Sequence, residues 1–210
     1  MNTFTEGFGM NIIIIDDNMK DTDPLFVKLK INFTYANIVL KNNMAEGLEY
    51  ILSHLNSKMI VLLDYDLGAG HTGTEIFLEI RKKTTLLYVI IITAKLLNTI
   101  PNEAMVEFIN KDALAIIDKT SSLDDKINLV KKALHDLDVR VDCVLEQWIY
   151  RHSERDLDEP YLTTASGTKY TLRQILAEIR LQTEFGKTME RKILMLAVHL
   201  LTQGKEKIDD

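Results

Sequence analysis

Along the first 125 or so positions, apolar residues come in two alternating patterns. The first is the short unbroken block. Asn11 to Ile15, Ala36 to Leu40 (ANIVL), Met59 to Leu63 (MIVLL), Val89 to Ile92 and Ala113 to Ile117 (ALAII) are apolar at nearly every position and rich in β-branched residues. Such blocks suit strands buried on both faces. The second pattern repeats every three or four residues and predicts helices. Asp23-Pro24 opens one helical stretch, with Asp23 as N-cap and Pro24 at the first helical position. Met44, Leu48, Ile51, Leu52 and Leu55 mark a second, Thr74 to Lys83 a third, and Pro101 to Asn110 a fourth. A long helix starts near Leu123. Strands separated by helices imply right-handed βαβ units, hence an α/β fold: a doubly wound, five-stranded parallel sheet.

The long helix carries a heptad seam. Ile127, Leu134, Val141 and Trp148 fall at a, and Leu123, Val130, Leu137 and Val144 at d. Packing on the sheet accounts for the part up to Leu137. Val141, Val144 and Trp148 need another cover, either a partner helix of a second chain or helices folded back within the same chain. The predicted boundary therefore puts one domain at 1–138 and a small all-α region at 139–210. Residues 153–169, with Pro160 and Gly167, read as a loop. Thr171 is a candidate N-cap for a helix with Leu172, Ile175, Leu176 and Ile179 on one face. Phe185-Gly186 reads as a break, with Gly186 a candidate C-cap. A second helix is expected from Thr188 to Gln203, closed by Gly204 and followed by a frayed charged end, Lys205 to Asp210.

Composition narrows the class. The chain has 210 residues, 46% hydrophobic and 27% charged, enough for an ordinary core. A net charge of -6 opposes sequence-independent binding to nucleic acid, which needs surplus Lys and Arg. The single cysteine, Cys143, excludes an internal disulfide framework and fits a reducing compartment. The Ile12–Ile15 run is too short for a signal peptide or membrane span and ends in Asp16-Asp17, so a cytoplasmic protein without membrane attachment is expected. From Val139 onward, 11 Lys and Arg balance 12 Asp and Glu. The helix pair around Gly186 would allow a helix-turn-helix reading. Its second member is apolar nearly all round from Ile193 to Leu201, unlike a recognition helix, which presents polar and basic residues to the groove. His54, His135 and His152 show no metal-ligand spacing, His71 falls in a loop, and His199 reads as a core residue.

Chemistry concentrates at the strand ends, where parallel sheets build their sites. The first strand ends in Asp16-Asp17, the third in Asp64, the fourth in Thr93, and the fifth near Lys119. Three carboxylates offer hard oxygen ligands that suit Mg²⁺ first. A lysine and a threonine hydroxyl opposite them suit a phosphoryl group. The segments IIIIDDN (Ile12 to Asn18), VLLDYDLGAGHTGTEI (Val61 to Ile76), VIIITA (Val89 to Ala94) and AIIDKT (Ala115 to Thr120) resemble, in order and position, the receiver domain of two-component response regulators. The resemblance spans residues 10–135 and implies a flavodoxin-like receiver fold. It implies Asp64 as phosphoacceptor and Asp16 and Asp17 as the metal-binding acidic pair. It further implies Thr93 as the switch hydroxyl, Lys119 as the phosphate-contacting lysine, and the backbone carbonyl of Asp66 as a further metal ligand. Three departures stand out. Ile116 occupies the place of the family's usual aromatic residue, and Thr120 that of the proline after the lysine. The loop LGAGHTG lacks the usual proline and is one residue longer than usual.

The resemblance implies a phosphorelay response regulator that takes its phosphoryl group, with Mg²⁺, from a histidine kinase or phosphotransfer protein. Such a chain is a phosphoacceptor switch rather than an enzyme. Its tail is expected to serve dimerisation or protein contacts, with a homodimer built on the coiled-coil seam; the alternative is a DNA-binding regulator with an atypical output region. No family is recognised for residues 139–210.

Overall fold

The computed structural model describes residues 9–68, 70–150 and 159–203. Ala69 of the predicted glycine loop, His152, the first part of the predicted 153–169 loop, Gly204 and the charged C-terminal end lie outside them. The chain divides into two compact units, Met1–Asp138 and Val139–Asp210.

The first unit alternates strand and helix: β1 Met10–Ile15, α1 Pro24–Asn32, β2 Ala36–Lys41, α2 Met44–Ser53, β3 Lys58–Asp64, α3 Gly73–Lys83, β4 Tyr88–Thr93, α4 Asn102–Asn110, β5 Ala115–Asp118 and α5 Leu123–Asp138. The five strands form one parallel sheet in the order β2-β1-β3-β4-β5. This is the expected doubly wound sheet. β1, β3 and β4 lie inside it, which is why their sequences do not alternate. Ile13 and Ile15 join Val61, Leu63, Val89, Ile91, Ile51, Phe77 and Phe108 in one core. The intervening Ile12, Ile14, Ile60, Leu62 and Ile90 are equally buried and point to the other face, where α1 packs on α5. Removing each such side chain from water is worth about 1.5–3 kcal/mol. Asp23 is the N-cap residue of α1, but its carboxylate accepts the Lys20 N–H at 2.5 Å instead of capping the helix. Asn43 does cap α2, accepting the Glu46 N–H at 2.8 Å.

The second unit holds α6 Val141–Tyr150, a two-stranded antiparallel ribbon of β6 Leu162–Thr163 and β7 Lys169–Tyr170, α7 Leu172–Arg180 and α8 Glu184–Gln203. The ribbon occupies part of the expected loop, turning at Gly167 (φ +86°), which φ favours glycine. Thr171 caps α7 through a reciprocal box with Gln174, as its position suggested. Among the described residues no helix is long and apolar enough to cross a membrane.

Three expectations need correction. His199 lies exposed on α8 and is not a core residue. The heptad seam does not run through one helix, because α5 stops at Asp138 and α6 starts at Val141. The Arg140 carbonyl accepts the Val144 N–H (2.9 Å) to start α6, and the Arg140 guanidinium folds onto Asp142 (2.9 and 3.0 Å). The buried face of α6 is Asp142, Cys143, Glu146 and Ile149, while the seam residues Val144 and Trp148 are 51% and 39% exposed. Asp142 and Glu146 turn inward because fully buried Arg180 of α7 bonds both, at 3.1 and 3.0 Å. Gly186 is not a C-cap either. α8 begins at Glu184 and runs through it, and the turn falls at Leu181–Thr183, where Gln182 has φ +51°. The glycine serves helix contact: a Cβ there would lie 2.0 Å from the Glu178 carbonyl oxygen of α7.

Candidate functional site

The carboxyl ends of β1, β3, β4 and β5 bring the predicted residues together. β1 delivers Asp16, only 5% exposed. Its Oδ1 accepts the N–H groups of Asn18 (2.9 Å) and Met19 (3.0 Å), which orients the carboxylate and leaves Oδ2 facing the site. Asn42, just past β2, donates from Nδ2 to the carbonyls of Asp16 (2.8 Å) and Met19 (2.7 Å), and so fixes the loop after β1. Asp17 is half-buried, and its Oδ1 accepts from Asn18 Nδ2 at 2.8 Å. Asp64, 3% exposed, ends β3; its Oδ1 accepts the Asp66 N–H at 3.2 Å.

Lys119 reaches this group from just beyond β5. Its Nζ lies 2.5 Å from Asp64 Oδ2 and 2.8 Å from Asp16 Oδ2. Burial would lower the Lys119 ammonium, but the hydrogen bonds it donates to Asp16 and Asp64 outweigh this and raise the group above the usual lysine range. Burial also raises the Asp64 carboxyl above the ordinary aspartate range, and the bonds from Lys119 and the Asp66 N–H only partly offset this. Thr93 is fully buried at the end of β4, one position past the Ile92 that pairs with Asp64; its Oγ1 accepts the Lys95 N–H at 2.9 Å.

Asp16, Asp17 and Asp64 each offer a carboxylate oxygen, all within 4.8 Å of one another. Three hard anionic oxygens this close, with Lys119 as the cation between two of them, fit a small divalent ion such as Mg²⁺. The Asp66 side chain is not part of that group. It is exposed and pairs with Lys95, 3.0 Å away, whose ammonium also lies 5.2 Å from the centre of the buried Tyr65 ring. Two glycines, Gly68 of the loop after β3 and Gly73 at the start of α3, allow close approach around the site. Gly68 has φ +69°, and a Cβ there would meet Asp17 Oδ2 at 2.6 Å; a Cβ on Gly73 would lie 2.4 Å from the Asp64 carbonyl oxygen. Ile116, in the place of the expected aromatic residue, is partly buried against the core. A cleft of about 450 Å³ opens beside the site, lined by Asn18, Asp23, Lys119, Ser121 and Lys126 among others. Sequence reasoning did not single out Asn42, Tyr65 or Lys126. The one available signal was a lysine set in the apolar stripe of α5, next to Ile127.

No family model matches the chain, and no curated protein does. Solved structures do. A CheY-like response regulator receiver domain protein from Methanospirillum hungatei is 24% identical with a TM-score of 0.50, over 62% of this chain and 97% of its own. A receiver domain protein from Clostridium thermocellum is 21% identical with a TM-score of 0.49, over 60% of this chain and 95% of its own. A DNA-binding response regulator of the LuxR family from Staphylococcus aureus is 24% identical with a TM-score of 0.48, over 58% and 96%. The first of these similarities establishes a receiver fold for the sheet-containing unit; the C-terminal region is not matched.

Proposed function

We propose that this chain is a cytoplasmic response regulator that accepts a phosphoryl group on Asp64 from a histidine kinase or phosphotransfer protein. The observation that carries the reading is the Lys119 ammonium, 2.5 Å from Asp64 Oδ2 inside a group of three carboxylates. An Asp64 oxygen attacks phosphorus as the bond to the donor's nitrogen or oxygen breaks, and the leaving group takes the electron pair. Lys119, already at the reacting oxygen, balances charge on the transferred group. The Thr93 hydroxyl, at the adjacent strand end, is the donor available to a phosphoryl oxygen. Asp16, Asp17, Asp64 and the Asp66 carbonyl would hold Mg²⁺, which when bound would supply positive charge against the phosphoryl oxygens. On this reading the first unit is a switch rather than an enzyme, and the second is its output.

The second unit, on the same reading, makes a homodimer. Leu194, Met195, Leu196, Val198, Leu200 and Leu201 of α8 are 48–62% exposed, an apolar surface that a second copy would cover. Incubation with acetyl phosphate and Mg²⁺ tests the phosphoacceptor. One phosphoryl group per chain is expected, and none with Asp64→Asn or with a chelator. Equal labelling of the Asp64→Asn chain would reject the assignment.

A further inference from the structure

Lys119 acts from a weakly supported position. β5 has only four residues and lies at the sheet edge. Its last main-chain tie to β4 is the Lys119 N–H to the Thr93 carbonyl, at 2.6 Å. Beyond it the chain must turn within three residues to reach α5. Ser122 caps that helix, accepting the Asp125 N–H at 3.0 Å. Nothing in this turn is stiff by composition, since Thr120 stands where the receiver resemblance leads one to expect a proline.

The turn is instead filled from below. Lys126, on the first full turn of α5, is only 7% exposed. Its Nζ donates to the carbonyl of Lys119 at 2.5 Å and to that of Ser121 at 3.0 Å. Asp118 ties the outer side, accepting at 2.7 Å from both the N–H and the hydroxyl of Thr120. A buried ammonium is costly unless its protons are bonded, so two carbonyl acceptors converging on it mark a built arrangement, and a solvated lysine does not have this geometry. The Lys119 backbone is thus held at its N–H by β4 and at its carbonyl by Lys126.

We propose that Lys126 is a positioning residue: through the carbonyls of Lys119 and Ser121 it holds the Lys119 ammonium on Asp64. It does not touch the reacting atoms. Its effect on rate rests on the reading of Asp64 as phosphoacceptor; its effect on the turn does not.

A double-mutant cycle on the full chain tests this, using Lys126→Met, Lys119→Ala and the pair. With acetyl phosphate and saturating Mg²⁺, Lys126→Met should lower the maximal rate of phosphoryl uptake about tenfold, since small misplacements of a charge-balancing group are costly. The donor concentration at half-maximal rate should move less than about twofold. In the Lys119→Ala background the same change should alter the rate less than about twofold, because the residue it works through is gone. Equal losses in both backgrounds, or no loss in the first, would overturn the proposal. Lys126→Gln, judged by the same criteria, replaces Lys126→Met if that chain does not fold. If the unaltered chain takes up no phosphoryl group, the Asp64 reading itself fails. Backbone ¹⁵N order parameters at 119–121 then decide the positioning role: a fall from about 0.85 to below about 0.6 in Lys126→Met supports it, and unchanged values reject it.

Discussion

Asp66 and Lys95 stand two positions beyond Asp64 and Thr93, and the structure pairs them at 3.0 Å. Lys95 holds the Asp66 carboxyl below the usual aspartate range, through its hydrogen bond first and its charge second. An exposed pair of this kind adds little to stability. If Asp64 is phosphorylated as proposed, the effect expected of the pair is on the access of water to the acyl phosphate. Asp66→Ala with Lys95→Ala should shorten the half-life of phosphorylated Asp64 several-fold, read by loss of label after the donor is removed. An unchanged or longer half-life would reject a shielding role. Tyr65 sits under the same lysine and edge-to-face with Phe108, at 6.3 Å between ring centres, so the pair rests on the rigid core.

Between elements, the α7–α8 contact gives a sharp test. Alanine is favoured over glycine inside a helix by about 1 kcal/mol, so propensity alone predicts that Gly186→Ala stabilises. The added Cβ would lie 2.0 Å from the Glu178 carbonyl oxygen and 2.3 Å from its carbon, both backbone atoms that cannot swing aside. Separating two packed helices costs about 1–3 kcal/mol or more, so the clash wins. Trp148 is the only tryptophan and belongs to the second unit, so its fluorescence reports on that unit. The Trp148 transition should come at lower temperature in Gly186→Ala, and an unchanged or higher midpoint would contradict the packing account.

The ion group of the second unit adds a pH dependence. Burial would raise the Asp142 carboxyl, but Arg140 and Arg180 outweigh it and hold the group below the ordinary aspartate range. A carboxyl depressed on folding contributes stability that is complete above its unfolded value, about 3.9, and is lost as pH falls towards the folded value. The Trp148 transition should therefore weaken as pH drops below about 4, and Asp142→Asn should flatten that limb while lowering stability at pH 7 by about 3 kcal/mol. An acid limb as steep in Asp142→Asn as in the parent chain would assign the effect elsewhere.

These cases also mark what the sequence discloses. β1, β3 and β4 are legible because burial on both faces leaves, within the strands, hardly a polar position beyond Asn11 to confuse the pattern. Asp16, Asp17, Asp64, Thr93 and Lys119 are legible because each lies at or just beyond the end of an apolar block. The break at Val139–Arg140 is not, since Val141, Val144 and Trp148 extend the apolar spacing of α5 although a different stripe is buried. That stripe contains Asp142 and Glu146, residues that become interior only because Arg180, far along the chain, meets them. Gly186 looks like a helix stop when read locally, because the backbone it must clear belongs to another helix. Lys126 is hidden for the same reason: only the folded turn shows where its ammonium goes.

At the scale of the whole molecule, the proposed dimer makes a further prediction. Sedimentation at tens of micromolar should show the full chain as a dimer, and Leu196→Glu with Leu200→Glu as a monomer that still takes phosphoryl on Asp64. A monomeric parent chain at that concentration would reject self-association. Binding to duplex DNA should be weak and non-specific, because the second unit has 11 basic residues against 12 acidic ones and no surplus to displace counterions. Tight, salt-sensitive binding would reverse that judgement.

The bare end of α8 also bears on how long a chain survives. A helix whose Leu196, Leu200 and Leu201 are each about 60% exposed is an open invitation to chaperones and proteases, which survey newly made proteins for such stretches. Under the dimer reading, a copy that finds its partner hides the stretch and persists, whereas a solitary copy is cleared. Turnover would then rise steeply once synthesis falls below the level at which chains pair. On that reading the cell would keep the chain either above a threshold abundance or hardly at all, with the affinity between two copies setting where the threshold lies.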